Sequence, residues 1–226
     1  MSTVVVKLGG AVAGESAAAI LALAKRHRVC VVHGGGSQIS AEMSRLGIPV
    51  EFVHGRRVTS LEGLEVVRRS LAEVNAVLCA ALGELAVPLF GNEIGLQATP
   101  VPELGLVGEA LPSLPAAVVE ALAAGKIPVV APLGRALEGG GPLNVNADDA
   151  AAALALGREA ERLHFLTDVP GLLLGGAIAT SIDAAAAERL LERGDLAGGI
   201  VPKLQAAIGA ARGGVEAAIG QTAVLA

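Results

Sequence analysis

With 226 residues, 53% of them hydrophobic, the chain is long and apolar enough to bury a large core, as one large domain or two small lobes. It has three Phe, no Trp or Tyr, a net charge of −5 and no basic stripe, so it lacks both the charge and the stacking platforms of a nucleic-acid binder. Charged residues interrupt every apolar stretch well short of a membrane span, and no N-terminal signal precedes the first strand, so a soluble, cytoplasmic protein is expected. Cys30 and Cys79 sit far apart in apolar runs and read as small core residues of a reducing compartment, not as a disulfide or metal pair.

Thr3 to Leu8 is a β-branched run that predicts a strand ending in Lys7-Leu8-Gly9-Gly10. A lysine there either faces a ligand or partner or marks a solvated strand end. No Gly-Lys-Ser/Thr follows, so this is not a P-loop. Ser16 to His27 predicts a helix with a basic end, and Arg28 to Val32 a buried strand. His33-Gly34-Gly35-Gly36 follows, opening a helix from Ser37 to Leu46 that Gly47 and Pro49 stop. Three glycines in a row suit either an anion pressed against free N–H groups at a helix N-terminus or a flexible strand-to-helix turn.

Val50 to Val53 predicts a short strand leading into His54-Gly55-Arg56-Arg57-Val58-Thr59. The two arginines suit either a bidentate carboxylate clamp or a surface pair. Ser60 caps a helix running to about Leu85, with apolar residues at Leu64, Val67, Leu71, Val74, Leu78 and Leu82. Ala86 to Phe90 is a strand, and Gly91 to Gly108 suggests loops and β-hairpins. Leu114 to Ala124 is a helix closed by Gly125, Ile127 to Leu133 a strand interrupted by prolines, and Gly139-Gly140-Gly141-Pro142 a turn. Leu143-Asn144-Val145-Asn146-Ala147-Asp148-Asp149 then opens an Ala-rich helix to Leu156. A cap accounts for one of these Asx residues; four in six positions suggest polar groups aimed at a ligand or at lysines.

Leu163 to Leu166 is a strand ending in the turn Thr167-Asp168-Val169-Pro170-Gly171. Leu172 to Leu174 and Ala177 to Ala179 can pair across Gly175-Gly176, and Ile182 to Leu191 is helical. Gly198-Gly199-Ile200-Val201-Pro202-Lys203 opens a last helix to about Arg212, before a closing hairpin of Val215 to Ile219 and Thr222 to Leu225. Only four of the 17 basic residues are lysines, and Lys7 and Lys203 both stand beside glycine pairs. That is either chance in an Arg-rich composition or the use of a compact point charge that Arg cannot imitate. The alternation of strands and helices predicts an α/β fold, a three-layer αβα sandwich around a mostly parallel central sheet.

Six motifs in order carry a resemblance: Val6-Lys7-Leu8-Gly9-Gly10, Val32-His33-Gly34-Gly35-Gly36, Gly55-Arg56-Arg57-Val58-Thr59, Asn144-Val145-Asn146-Ala147-Asp148, Thr167-Asp168-Val169-Pro170-Gly171-Leu172 and Gly199-Ile200-Val201-Pro202-Lys203. Together they resemble the amino acid kinase family over most of the chain, and within it the acetylglutamate kinases. The resemblance implies transfer of a phosphoryl group from MgATP to the side-chain carboxylate of N-acetyl-L-glutamate, giving an acyl phosphate in arginine synthesis. It implies that Lys7 and Lys203 flank the transferred group and that Asp148 holds both. Gly9, Gly10 and the triglycine, Gly35 and Gly36 included, would give N–H groups to phosphate and acetylglutamate oxygens. Arg57 and Asn144 would bind the α-carboxylate region. Thr167, Asp168, Gly171 and Leu172, with Gly198 and Gly199 in the segment Asp195 to Ile200, would bind the nucleotide.

By the same likeness, residues 1–158 form the acceptor lobe and 159–226 the nucleotide lobe of one continuous sheet. Mg²⁺ would be bound through the nucleotide phosphates, with no protein metal site. The short N-terminus leads to the expectation of an arginine-insensitive homodimer, with no nucleic-acid or membrane partner. A carboxylate acceptor is ionised at pH 7 and needs no general base, so His33 and His54 are expected to be structural. Three segments depart from the family pattern: Gly91 to Glu109, the stretch cut short at Leu174-Gly175-Gly176, and Val215 to Ala226. Two other readings stay open: a kinase of carrier-linked aminoadipate or glutamate, and a non-catalytic ligand sensor.

Overall fold

A computed structural model describes residues 1–9, 16–137, 139–167 and 170–226. The chain opens with β1 (Thr3–Leu8), α1 (Ala17–Ala24), β2 (Arg28–His33) and α2 (Gly36–Arg45). A hairpin of β3 (Phe52–Val53) and β4 (Arg56–Arg57) precedes the long α3 (Leu61–Leu82), followed by β5 (Ala86–Phe90) and the single turn α4 (Gly91–Ile94). Next come β6 (Gln97–Pro100), β7 (Val107–Ala110), α5 (Ala116–Ala123), β8 (Ile127–Ala131), β9 (Leu133–Ala136), β10 (Pro142–Val145) and α6 (Ala147–Gly157). The last part holds β11 (Arg162–Leu166), β12 (Leu173–Leu174), β13 (Ala177–Ile178), β14 (Ser181–Asp183), α7 (Ala184–Glu192), α8 (Ile200–Arg212), β15 (Glu216–Ile219) and β16 (Thr222–Leu225).

Eight strands form the central sheet in the order β14-β16-β15-β11-β1-β2-β8-β5. Every neighbouring pair is parallel except the β15–β16 hairpin. β1 and β2 are apolar along both faces because both faces are covered. Val4, Val6 and Leu8 pack toward α1 and α3, while Val5 packs with α6 and α8 on the opposite face. Lys7 therefore shares the α6–α8 face. The Ala-rich sequences of α6 and α8 let those helices lie close to the sheet and to each other.

β6, β7, β9 and β10 close into a small four-stranded barrel beside the sheet. Its interior is tight enough that a Cβ on Gly134 would lie 2.6 Å from Ala98 Cβ. Thr59 docks the β3–β4 segment onto this barrel: its N–H donates to Leu104 O and its carbonyl accepts from Leu106 N. Gly105, at φ +81°, is required between them, since a Cβ there would meet Thr59 O at 2.4 Å.

The three-layer α/β architecture matches the sequence reading, with local differences. The proline-interrupted strand is two strands: Pro132 has no N–H to offer, and β8 ends before it and β9 starts after it. Leu143 to Val145, read as opening the helix, belong with Pro142 to strand β10, and Arg56 and Arg57, ahead of the Ser60 cap, form strand β4. Ser181–Asp183 forms the edge strand β14, so Ile182 pairs beside β16 instead of starting α7.

Candidate active site

The ends of β1, β2 and β11 meet the N-termini of α2, α6 and α8 at one cleft. Its first cavity, about 340 Å³, is lined by Lys7, Gly9, Gly34–Gly36, Arg56, Arg57, Asn144, Asn146, Asp148, Thr167 and Lys203, among others. Lys7 is the penultimate residue of β1 and only 5% exposed. Its Nζ lies 2.7 Å from Asp148 Oδ1, and Lys203 Nζ lies 3.6 Å from Asp148 Oδ2. Lys203 Nζ also donates to Gly199 O at 3.1 Å. Asn146 caps α6, accepting from the N–H groups of Asp148 and Asp149, and so fixes the first turn that carries both carboxylates. That end of the helix dipole favours negative charge. Burial pulls the Lys7 ammonium below the usual lysine range; Asp148 opposes this, and the charge of Lys203 adds to it.

The β3–β4 hairpin roofs the cavity. Arg57 is 5% exposed, donates to Gly36 O at 3.0 Å and Ser40 Oγ at 2.8 Å, and stacks 4.5 Å from the Phe52 ring centroid. Burial lowers its pKa, with no acidic neighbour among the described residues opposing it. A desolvated guanidinium at the cavity wall is suited to an incoming carboxylate. Arg56 points the other way, to Glu109 Oε1 at 2.5 Å and Asp149 Oδ2 at 3.3 Å. Burial raises the Asp149 pKa and Arg56 opposes the shift. Asn146 Nδ2 donates to Gly55 O, and Gly55 sits on Pro202, where an added Cβ would lie 3.5 Å from Cγ. Asn144 donates to Thr59 Oγ1 at 3.0 Å.

A second cavity, about 540 Å³, lies between the β11 end and the start of α8. Its lining includes Gly171, Leu172, Asp195, Gly199 and Ile200. Leu172 N donates to Thr222 Oγ1, which ties that turn to β16. Thr167 and Lys203 line both cavities, so the Lys7–Asp148–Lys203 cluster stands where the two adjoin.

The amino acid kinase family model matches residues 2–221. The chain belongs to the amino acid kinase family. Among curated members, acetylglutamate kinase of Rubrobacter xylanophilus is 44% identical, over 97% of this chain and 88% of that one. Acetylglutamate kinase of Geobacillus kaustophilus is 41% identical over 92% of this chain and 85% of its own. The crystal structure of smu.665 from Streptococcus mutans superposes with a TM-score of 0.90 at 27% identity, covering 99% of this chain and 98% of that one.

In this amino acid kinase the structure brings Lys7, Asp148, Lys203, Gly9, Gly35, Gly36, Arg57 and Asn144 to one cavity, and Thr167, Gly171, Leu172 and Gly199 to the other. Gly10 and Asp168 lie outside the described residues. Gly198 does not line the second cavity; at φ +71° it turns the chain just ahead of α8. The N–H groups of Gly9 and Gly34 already bond to Leu166 O and Leu8 O, so Gly35 and Gly36 are the triglycine members left to meet an anion. Sequence reasoning missed Phe52 and Ser40, which hold Arg57, and the partners of Arg56. Phe52 is one of only three Phe, and its aromatic ring beside paired arginines was the available signal.

Proposed function

We propose that this family member transfers the γ-phosphoryl group of ATP to the side-chain carboxylate of N-acetyl-L-glutamate, forming an acyl phosphate in arginine synthesis. The observation that carries the reading is Asp148, which tethers Lys7 and Lys203 at the junction of two cavities. Both substrates are anions, and their mutual repulsion is a large part of the barrier. Such a transfer needs alignment and charge neutralisation more than covalent help. Lys7, buried near the end of β1, and Lys203, in the first turn of α8, would bracket the phosphoryl group as it moves. Asp148 keeps both ammonium groups in place without crossing the path.

The acceptor fits the first cavity, with its α-carboxylate toward Arg57 and Asn144 and its side chain toward the Gly35 and Gly36 N–H groups. ATP fits the second cavity and enters as its magnesium complex. The carboxylate at the junction is already engaged by two ammonium groups, which suits a cation that arrives on the phosphates. The linings support an acceptor lobe of residues 1–158 and a nucleotide lobe of 159–226 that share the sheet. The same reading carries a cytoplasmic location, where ATP is held, and a homodimer as the assembly.

A coupled ADP-release assay across a panel of amino-acid and carrier-linked acceptors tests the proposal. Turnover is expected with N-acetyl-L-glutamate and is expected to vanish in Lys7→Ala. Turnover with another acceptor alone, or none with acetylglutamate, overturns the substrate assignment.

A further inference from the structure

We infer that His33 is a positioning residue: its Nδ1–H holds the Gly34 carbonyl and thereby aims the Gly35 N–H into the first cavity. The inference rests on reading that cavity as the phosphoryl-transfer site. His33 ends β2 and is completely buried, and Asn75, buried in α3, faces it. Asn75 Nδ2 donates to Val129 O at 2.9 Å and contacts His33 Nε2 at 3.0 Å, while Asn75 Oδ1 accepts from Cys79 Sγ at 3.4 Å. Val129 fixes which way the amide points, because a flipped amide would set oxygen against carbonyl oxygen. An amide nitrogen only donates, so His33 Nε2 must accept. The ring proton is thus assigned to Nδ1, which lies 3.1 Å from Gly34 O. Burial favours the neutral ring, drawing its pKa down to about 4.

The consequence follows from peptide geometry. In a planar trans peptide the C=O of one residue and the N–H of the next point in opposite directions. Anchoring Gly34 O to the buried ring therefore turns the Gly35 N–H away from it, toward the cavity that Gly35 lines. Gly35 is the N-cap of α2, where an N–H has no partner within the helix. Its carbonyl is occupied by Ile39 N, so the residue is held from both sides. A donor fixed before substrate arrives is worth most when charge develops in front of it.

Two substitutions separate this role from packing. Asparagine at position 33 can place an amide N–H where Nδ1 was; glutamine places it at Nε2 instead. His33→Asn is expected to keep kcat within about threefold. His33→Gln is expected to lose about 100-fold in kcat, with both KM values within about threefold. Melting temperatures and a long-range ¹H–¹⁵N spectrum of the wild-type imidazole accompany the kinetics, the latter expected to show the Nδ1–H tautomer at pH 7. Equal losses in both variants, full kcat in His33→Gln, or an Nε2–H tautomer overturns the inference. Absence of acetylglutamate turnover in the wild type would sink the functional reading alone. The tautomer then still decides this inference, together with a Gly35 amide resonance expected to move in His33→Gln and hold in His33→Asn.

Discussion

Asp148 has two ammonium neighbours and almost no water, so its charge cannot be replaced by shape. Asp148→Asn keeps the outline but leaves Lys7 buried without a counter-charge. Breaking a buried pair costs about 3–5 kcal/mol, so melting is expected to fall by on the order of 10 °C. Turnover is expected to drop about 100-fold, read in the ADP-release assay. Lys7 itself gives opposite trends with pH. Its folded pKa is lowered from 10.5, so the unfolded chain holds the proton more tightly. Between the lowered value and 10.5 this site's contribution to stability therefore rises with pH, while kcat/KM falls as the ammonium is lost. Stability and rate profiles in alkaline buffer check the pair of slopes. His33 works at the acid end: its pKa falls from 6.5 to about 4, so the unfolded state takes up the proton first. Stability is expected to decline by on the order of 3 kcal/mol as pH drops through that window, and His33→Asn should flatten the loss.

At the scale of elements, the roof over the first cavity is held by its edges. Arg56 clasps Glu109 from β7 and Asp149 from α6, and Asn146 holds the hairpin tip. The double change Glu109→Gln with Asp149→Asn is expected to raise the acceptor KM about tenfold with kcat retained, since the reacting groups are untouched. Half-exposed Glu109 alone is worth under about 1 kcal/mol to stability. The inner parallel strands of the sheet were legible because covered faces demand continuous apolar runs, as in Val4-Val5-Val6 and Val29-Cys30-Val31-Val32. The barrel was not, because its strands are four residues each and join segments far apart in the chain. β14 was hidden for the same reason: its ladder partner, β16, comes about 40 residues later. The lysines and their Asx helix start were visible as motifs. The clasp of Arg56 was not, because its partners lie 53 and 93 positions away.

For the whole molecule, the shared wall between the cavities matters most. Lys203 lines both cavities, so a nucleotide in one and an acceptor in the other are each expected to tighten the other. A ligand at 100 times its Kd stabilises the folded state by about 2.7 kcal/mol. Calorimetry with N-acetyl-L-glutamate and a non-hydrolysable ATP analogue should show a joint melting shift larger than the sum of the separate ones. Lys203→Ala should reduce it to the sum; additive shifts in the wild type would remove the case for coupling.

Gly55, at the tip of the hairpin, rests on the ring of Pro202, one residue ahead of Lys203. The ceiling over one guest thus leans on the doorpost of the other. If α8 swings outward to discharge spent nucleotide, that prop goes with it, and the newly made mixed anhydride is uncovered only afterwards. An ordered departure is the outcome expected on the proposed reading, with the nucleotide first and the labile product after it.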